Sequence, residues 1–402
     1  MAGALAGIKI VDLTAVILGP YAMQLLGDQG ADIVKIEPPE GEMLRHLGVS
    51  RHNRGMGPAH LAINRNKRSL ALDLKQPASR AALLKVIEGA DALVHTMRPQ
   101  AIAALGLDYD AVRQVNPEIV YAGAYGYGAD GPYGDRPAYD DVIQGLCGVA
   151  ALNGAQDGVP KYAPTIIADK TVGLTLAYAV LAGLIHKLRS GKGQKIEVPM
   201  FETMVQFVMV EHLNRRTFDP EHGKAGYERM LAKSRKPYRT KDGWICILPY
   251  TDRHWTRFFE MAGRADLAAD PRFSDVTQRS ANIAALYDEL EQIAPSRGTA
   301  EWLALLRQAQ IPCGAINTLD DLFDDEHLRA VGMFATVEHP SEGTIAAVRP
   351  PASFSATPGE LRLGAPLIGQ HSLEILREAG VAAEQIDALV TSGAVIQAKE
   401  SS

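Results

Sequence analysis

Ile8-Lys9-Ile10-Val11-Asp12, then Gly19-Pro20 and a run through Tyr21, Met23, Leu25 and Leu26, then Ala31-Asp32-Ile33-Val34-Lys35-Ile36-Glu37 decide the fold of this chain. The two outer runs are short and β-branched and read as strands. Pro20 suits the first turn of a helix, and the glycines at 27 and 30 stop it. A β-α-β opening implies two parallel strands joined by a right-handed crossover. Working outward, residues 69–74, 91–95, 118–122 and 195–198 read as further strands, with a helix over 77–89. This alternation predicts an α/β domain with a mostly parallel sheet. Ligands of such sheets bind beyond the carboxyl ends of the strands. The loops of interest are therefore Val16-Ile17-Leu18, Thr96-Met97-Arg98 and the segment 123–139.

Residues 138–151, 170–188 and 201–213 have helical periodicity, and the Met-rich face of the last reads as core. The chain then turns polar and basic over 214–239, read as a linker. A strand at 244–248 and helices at 252–262, 282–294 and 299–310 predict a smaller α+β domain. The expected division is a large domain over 1–213, a linker over 214–239, a small domain over 240–330, a return linker over 331–351 and a C-terminal part of the large domain over 352–402. Gly126-Tyr127-Gly128-Ala129-Asp130-Gly131 matches the spacing of a dinucleotide fingerprint. Pro132, Gly134 and Pro137 follow it, so no helix N-terminus is there to meet a pyrophosphate. An NAD-binding site is not expected.

The 402 residues are 47% apolar and 22% charged, enough for sizeable cores without covalent staples. A net charge of -6 gives no general attraction to nucleic acid or anionic membranes. Cys147, Cys246 and Cys313 are scattered, which argues against a disulfide framework or a structural metal site and fits a reducing compartment. The first residues lack a basic leader, and the longest apolar run, 174–185, is short for a membrane span. The expectation is a cytoplasmic protein without a bound metal.

Three places carry candidate chemistry. Asp169 sits where a loop becomes an apolar helix; it is a helix cap or a nucleophile able to form a covalent acyl intermediate. The run Asn64-Arg65-Asn66-Lys67-Arg68 through Lys75 places cations beside a strand, as a solvated face or a phosphate-holding patch. Arg136-Pro137-Ala138-Tyr139-Asp140-Asp141 brings a phenol and two acids to a helix start.

The order and spacing of Gly19-Pro20, Gly30-Ala31-Asp32, Asn66-Lys67-Arg68-Ser69, Gly131-Pro132, Tyr139-Asp140, Asp169, Gly191-Lys192-Gly193-Gln194, Ile311-Pro312-Cys313-Gly314 and Gly369-Gln370-His371 resemble the class III coenzyme-A transferases. The resemblance spans nearly the whole chain. It implies CoA transfer between an acyl-CoA and a small carboxylic acid through an aspartyl-CoA thioester on Asp169, with Tyr139 and Asp140 in the catalytic set. It further implies that Leu72, Asp73, Leu74, Lys75, Thr96, Met97 and Arg98 line the nucleotide of CoA. Val16, Ile17 and Leu18 would follow the pantetheine arm, and Arg136 and Pro137 would close over it. The implied fold is a Rossmann-like large domain built from both chain ends plus a smaller α+β domain, and the implied assembly is an interlocked homodimer. Formyl-type members carry glutamine where this chain has Ile17 and arginine where it has Pro38, which points to another acid pair, such as one with succinate as donor. The related α-methylacyl-CoA racemases carry histidine where this chain has Tyr139. A phenol with a pKa of roughly 10 is a poor base, which favours transfer. A CoA-binding paralogue without turnover is the third reading.

Overall fold

The structure, a computed structural model, describes residues 3–398. The chain folds as two compact units, each assembled from segments distant in sequence. Residues up to 147, 164–206 and from 327 onward form one, and residues 148–163 and 207–326 the other.

The first unit is built on a seven-stranded sheet. Its strands are β1 (Lys9–Leu13), β2 (Asp32–Glu37), β3 (Lys67–Leu72), β4 (Ala92–His95), β5 (Val120–Tyr125), β6 (Gln194–Pro199) and a short final strand, Val395–Ile396. The order is final strand, β3, β2, β1, β4, β5, β6, parallel throughout except for the final strand against β3. Val11, Val34, Leu70 and Leu93 are fully buried, as parallel strands covered on both faces require. The crossovers include α1 (Leu18–Asp28), α2 (Pro58–Ile63), α3 (Pro77–Glu88), α4 (Pro99–Ala104) and α5 (Tyr109–Val115). On α3, Ala82, Leu83, Val86 and Ile87 form one apolar stripe against the sheet core. A two-stranded antiparallel hairpin, Phe334–His339 with Gly343–Val348, occupies much of the expected return linker.

The helix expected over 138–151 is two: α6 (Asp140–Leu146) and α7 (Val149–Asn153). Gly148 between them takes φ +93°, which breaks the hydrogen-bond ladder, and α7 belongs to the second unit. The long helix α8 (Ile167–Ser190) has 24 residues and by length and composition alone could cross a membrane, which the apolar run 174–185 did not suggest. It packs one face on α1, β5 and β6, and charged residues lie near both of its ends. The helix α9 (Met200–His212) turns Met200 and Met204 of its Met-rich face into the core, as expected. Met200, Met204 and Val208 are buried four residues apart, whereas Phe207 and Val210 are exposed.

In the second unit, Tyr238–Arg239, Trp244–Ile247 and Cys313–Ala315 make a three-stranded antiparallel sheet. Helices Asp252–Met261, Ile283–Ile293 and Thr299–Gln308 bury Trp255, Phe258, Leu286, Leu290 and Trp302 in its core. Residues 214–239, read as linker from their polarity, belong to this unit.

Candidate active site

In the sheet, β1 lies between β2 and β4, the point where the progression of strands reverses. Crevices at such points receive ligands at the carboxyl edge. The loops after β1 and β4 flank it, and the amide of Ala15 donates to Thr96 Oγ1 at 3.0 Å, which ties the two loops together.

The loop after β1 is held from below by buried charges. Val16 has φ +65°, a conformation that costs a β-branched residue roughly 1–3 kcal/mol. Its amide donates to Glu42 Oε2 at 3.2 Å. Lys35 Nζ donates to the carbonyl of Thr14 at 3.1 Å, and Asp12 Oδ1 accepts the Thr14 amide at 2.9 Å. Lys67 Nζ lies 3.4 Å from Asp12 Oδ2 and donates to the Pro20 carbonyl at 2.9 Å. Beside them Arg45 grips Glu37 through two bonds of 2.6 and 2.7 Å. Burial pushes the Glu37 carboxyl up, but Arg45, Lys35 and Ser69 outweigh it and hold it down at about 2. Burial lowers the Lys67 ammonium to about 8 despite Asp12.

Asp169 lies in the first turn of α8. It is not the cap: Ile166 holds that position and makes no side-chain bond. The amide of Asp169 donates to Asp140 Oδ1 at 3.0 Å. Asp140 is buried at the first turn of α6, and Gln144, four residues on, donates to its other oxygen. The carboxylate of Asp169 has no hydrogen-bond donor among the described residues. Burial, and then the nearby Asp140 carboxylate, push it up to about 6. One turn later, a Cβ at Gly173 would stand 2.8 Å from the Leu18 carbonyl oxygen and 3.1 Å from the Tyr21 ring. Glycine there lets α8 approach the start of α1, so Val16, Ile17 and Leu18 lead into the contact beside Asp169's helix.

Other expected positions divide. Arg98 is exposed and donates to the Asp135 carbonyl at 3.0 Å, joining the β4 loop to the segment before α6. The Arg136 guanidinium lies 3.9 Å over the Tyr133 ring, and Pro137 is exposed beside it. Lys75 is exposed. Leu72, however, is 1% exposed in the core and offers a ligand no side chain, while Leu74 and Met97 pack partly against that core. Asp73 Oδ1 accepts the Lys75 amide at 3.1 Å, shaping the turn into α3. The Tyr139 ring is 64% exposed and makes no hydrogen bond among the described residues.

The phosphate-holding reading of the run at 64–68 fails. Arg65 is paired with Asp28 at 2.7 Å, Lys67 contacts Asp12, and Arg68 is paired with Asp32 at 2.6 Å and with Glu374 and Glu378 at 2.9 Å. Nor is the run a solvated face, because its cations meet acids distant in sequence. The glycine spacing at 126–131 is a loop whose amides at Gly128 and Ala129 donate to Glu202 and Glu197 at 2.9 and 2.7 Å. Gln144 and Glu42 escaped the sequence reading. The i,i+4 spacing of Asp140 and Gln144 was a signal for the first; Glu42 had none.

The family model described as CoA-transferase family III matches residues 5–372. A succinate–glutarate CoA-transferase of Agrobacterium fabrum is 30% identical over 93% of this chain and 95% of its own length. A formyl-CoA:oxalate CoA-transferase of Streptomyces avermitilis is also 30% identical, over 98% of this chain and 100% of its own. The crystal structure of a CAIB/BAIF family protein from Brucella suis superposes with a TM-score of 0.79 at 29% identity, covering 94% of this chain and 100% of that one. Relatives named for different acids are equally identical to this chain, so overall identity does not choose between those acids. Matched to the family across most of its length, this chain is an enzyme that belongs to CoA-transferase family III.

Proposed function

We propose that the protein transfers CoA between an acyl-CoA donor and a small carboxylic acid, with Asp169 as nucleophile. Asp169 attacks the thioester carbonyl; the C–S bond breaks, leaving a mixed anhydride and CoA thiolate. The thiolate attacks the aspartyl carbonyl, the donor leaves as carboxylate, and an aspartyl-CoA thioester remains. An acceptor carboxylate attacks that thioester and again releases CoA thiolate. The thiolate then takes the acceptor acyl group from the second anhydride and frees the Asp169 carboxylate. No water is consumed, so the site must exclude it.

The observation that carries this reading is the division of labour at α8. Asp140 satisfies the helix amide, and the Asp169 carboxylate is left without a donor, half-buried and raised to about 6. A carboxylate committed to no protein donor keeps both oxygens for attack, and poor hydration strengthens it as a nucleophile. At pH 7 it is mostly ionised. Thr96, Arg98, Lys75, Arg136 and Pro137 are the groups left open to the nucleotide and phosphates of CoA, and the loop from Val16 to Leu18 to its pantetheine arm. Tyr139, at the surface beside Asp140, contributes by covering the bound thioester.

Exposed Leu174, Tyr178, Ile185 and Leu188 form an apolar stripe along α8, consistent with assembly as a homodimer. Sedimentation at micromolar concentration checks that point. The free thiols of Cys246 and Cys313 accord with a cytoplasmic location.

The decisive experiment is mass spectrometry of the protein after incubation with acyl-CoA and hydroxylamine or borohydride. A modified peptide containing Asp169 supports the mechanism. Turnover with no modified peptide, or transfer that persists in Asp169→Ala, overturns it.

A further inference from the structure

The second unit contains a pocket of its own. It has a volume of about 150 Å³ and walls that include Tyr227, Tyr250, Trp255, Ile283 and Leu286. A cavity of about this size holds a benzene-sized body. Two ionic contacts at its rim are internally balanced: Glu228 is paired with Arg215 at 2.9 Å, and Arg279 is paired with Asp252. Arg229, also in the wall, has no acidic partner among the described residues. Its Nε donates to the Tyr287 hydroxyl at 2.9 Å, and its guanidinium lies 5.0 Å from the centre of the Tyr250 ring. These contacts fix the plane of the guanidinium and use only one of its five N–H groups. The terminal nitrogens remain for a forked pair of bonds, the geometry that suits a carboxylate.

We infer that this pocket is a binding site for a small organic carboxylate with an apolar body, its carboxylate held by Arg229 and its body by the aromatic wall. The site lies wholly within the second unit, and the inference stands whether or not Asp169 turns over. A half-buried arginine without a counter-ion gains most from an anion that also fills the apolar space. Inorganic phosphate lacks the body, and a neutral amide lacks the charge.

Calorimetric titration of the full-length Asp169→Ala variant with benzoate, benzamide and inorganic phosphate tests this without turnover. Benzoate is expected to bind at one site that Arg229→Met weakens tenfold or more, with Arg229→Lys intermediate. Val276→Trp, which fills the mouth of the pocket and leaves Arg229 and its bond to Tyr287 in place, should weaken benzoate to a similar degree. Benzamide and phosphate should bind at least tenfold more weakly than benzoate. Equal benzoate affinity in Arg229→Met, no effect of Val276→Trp, or phosphate or benzamide binding as tightly as benzoate would overturn the inference. Thermal unfolding of each variant separates loss of the site from loss of the fold, and Val276→Trp carries the test if Arg229→Met unfolds.

Discussion

Two acid-rich regions of the first unit are handled in opposite ways. Under the loop after β1, Asp12, Glu37 and Glu42 are buried with Lys35, Arg45 and Lys67, three acids against three bases. At the starts of α6 and α8, Asp140 and Asp169 stand close together, and among the described residues no cation is paired with either. The first region satisfies its charges and becomes scaffold. The second leaves a charge unsatisfied, and its acid is raised to about 6 while Glu37, buried more deeply, is held at about 2. Burial acts in the same direction on both carboxyls; the counter-ion decides the outcome. A buried carboxylate with a guanidinium is inert structure, and one without is available for chemistry.

The sharpest way to break this contrast is to remove one acid from each side. Asp169→Ala is expected to lower the transfer rate by about 10⁴-fold or more, as removal of a covalent nucleophile does, without lowering the unfolding midpoint. Steady-state assay and calorimetry on the same preparation check both. Glu37→Gln should do the reverse. It leaves Arg45, 1% exposed, without its counter-ion, at a cost of about 3–5 kcal/mol in urea unfolding. If Glu37→Gln were harmless, or if Asp169→Ala unfolded the protein, the division into scaffold and reactive acid would be wrong.

A finer test uses pH. An acid whose folded-state pKa is raised favours folding fully below its unfolded value near 3.8, and that contribution is lost as pH rises through about 6. Asp169→Asn should therefore stabilise the protein by about 1–3 kcal/mol at pH 8, the rough equivalent of a shift of two units, and by nothing below pH 3. The wild-type transfer rate should fall as pH drops through about 6, because the protonated acid cannot attack. A gain in Asp169→Asn that was independent of pH would mean that the asparagine stabilises by packing.

The sheet was readable because each strand carries its own signature; the β-branched runs around Val11 and Val34 need no distant partner to be recognised. The break at Gly148 was missed because one glycine in a periodic run is compatible with a continuing helix. The charge run at 64–68 was misread for a different reason. Arg65, Lys67 and Arg68 are neutralised by Asp28, Asp12 and Asp32, each on or beside another parallel element, and such pairings exist only once the sheet is assembled. Leu72 was placed in the site by its position in the chain, yet strand alternation turns its side chain into the core. Asp169 and Asp140 were identifiable as a pair of helix starts. That one would cap the helix of the other, and so leave the other free, required coordinates.

The smallest effect expected lies where the two regions meet. Glu42 belongs to the charge-balanced layer, but its Oε2 accepts the amides of Val16 at 3.2 Å and Leu44 at 3.1 Å, so it also shapes the loop beside the reactive acid. Glu42→Gln keeps the length of the side chain and one carbonyl acceptor, and removes the charge opposite Lys35, 3.9 Å away. The amide group can still accept from one backbone N–H but now presents donors of its own to the other contacts. The cost in stability should be modest, about 1–2 kcal/mol, because Lys35 keeps its bond to the Thr14 carbonyl. Activity should fall by about five- to tenfold, chiefly as a raised KM for acyl-CoA, because Val16 relaxes from its left-handed conformation while Asp169 and Asp140 are untouched. Glu42→Asp retains the charge and shortens the reach, so it should restore stability more than KM. If both variants lost stability and KM in the same proportion, Glu42 would be scaffold alone, and the loop after β1 would draw its shape from Asp12 and Lys35 without it.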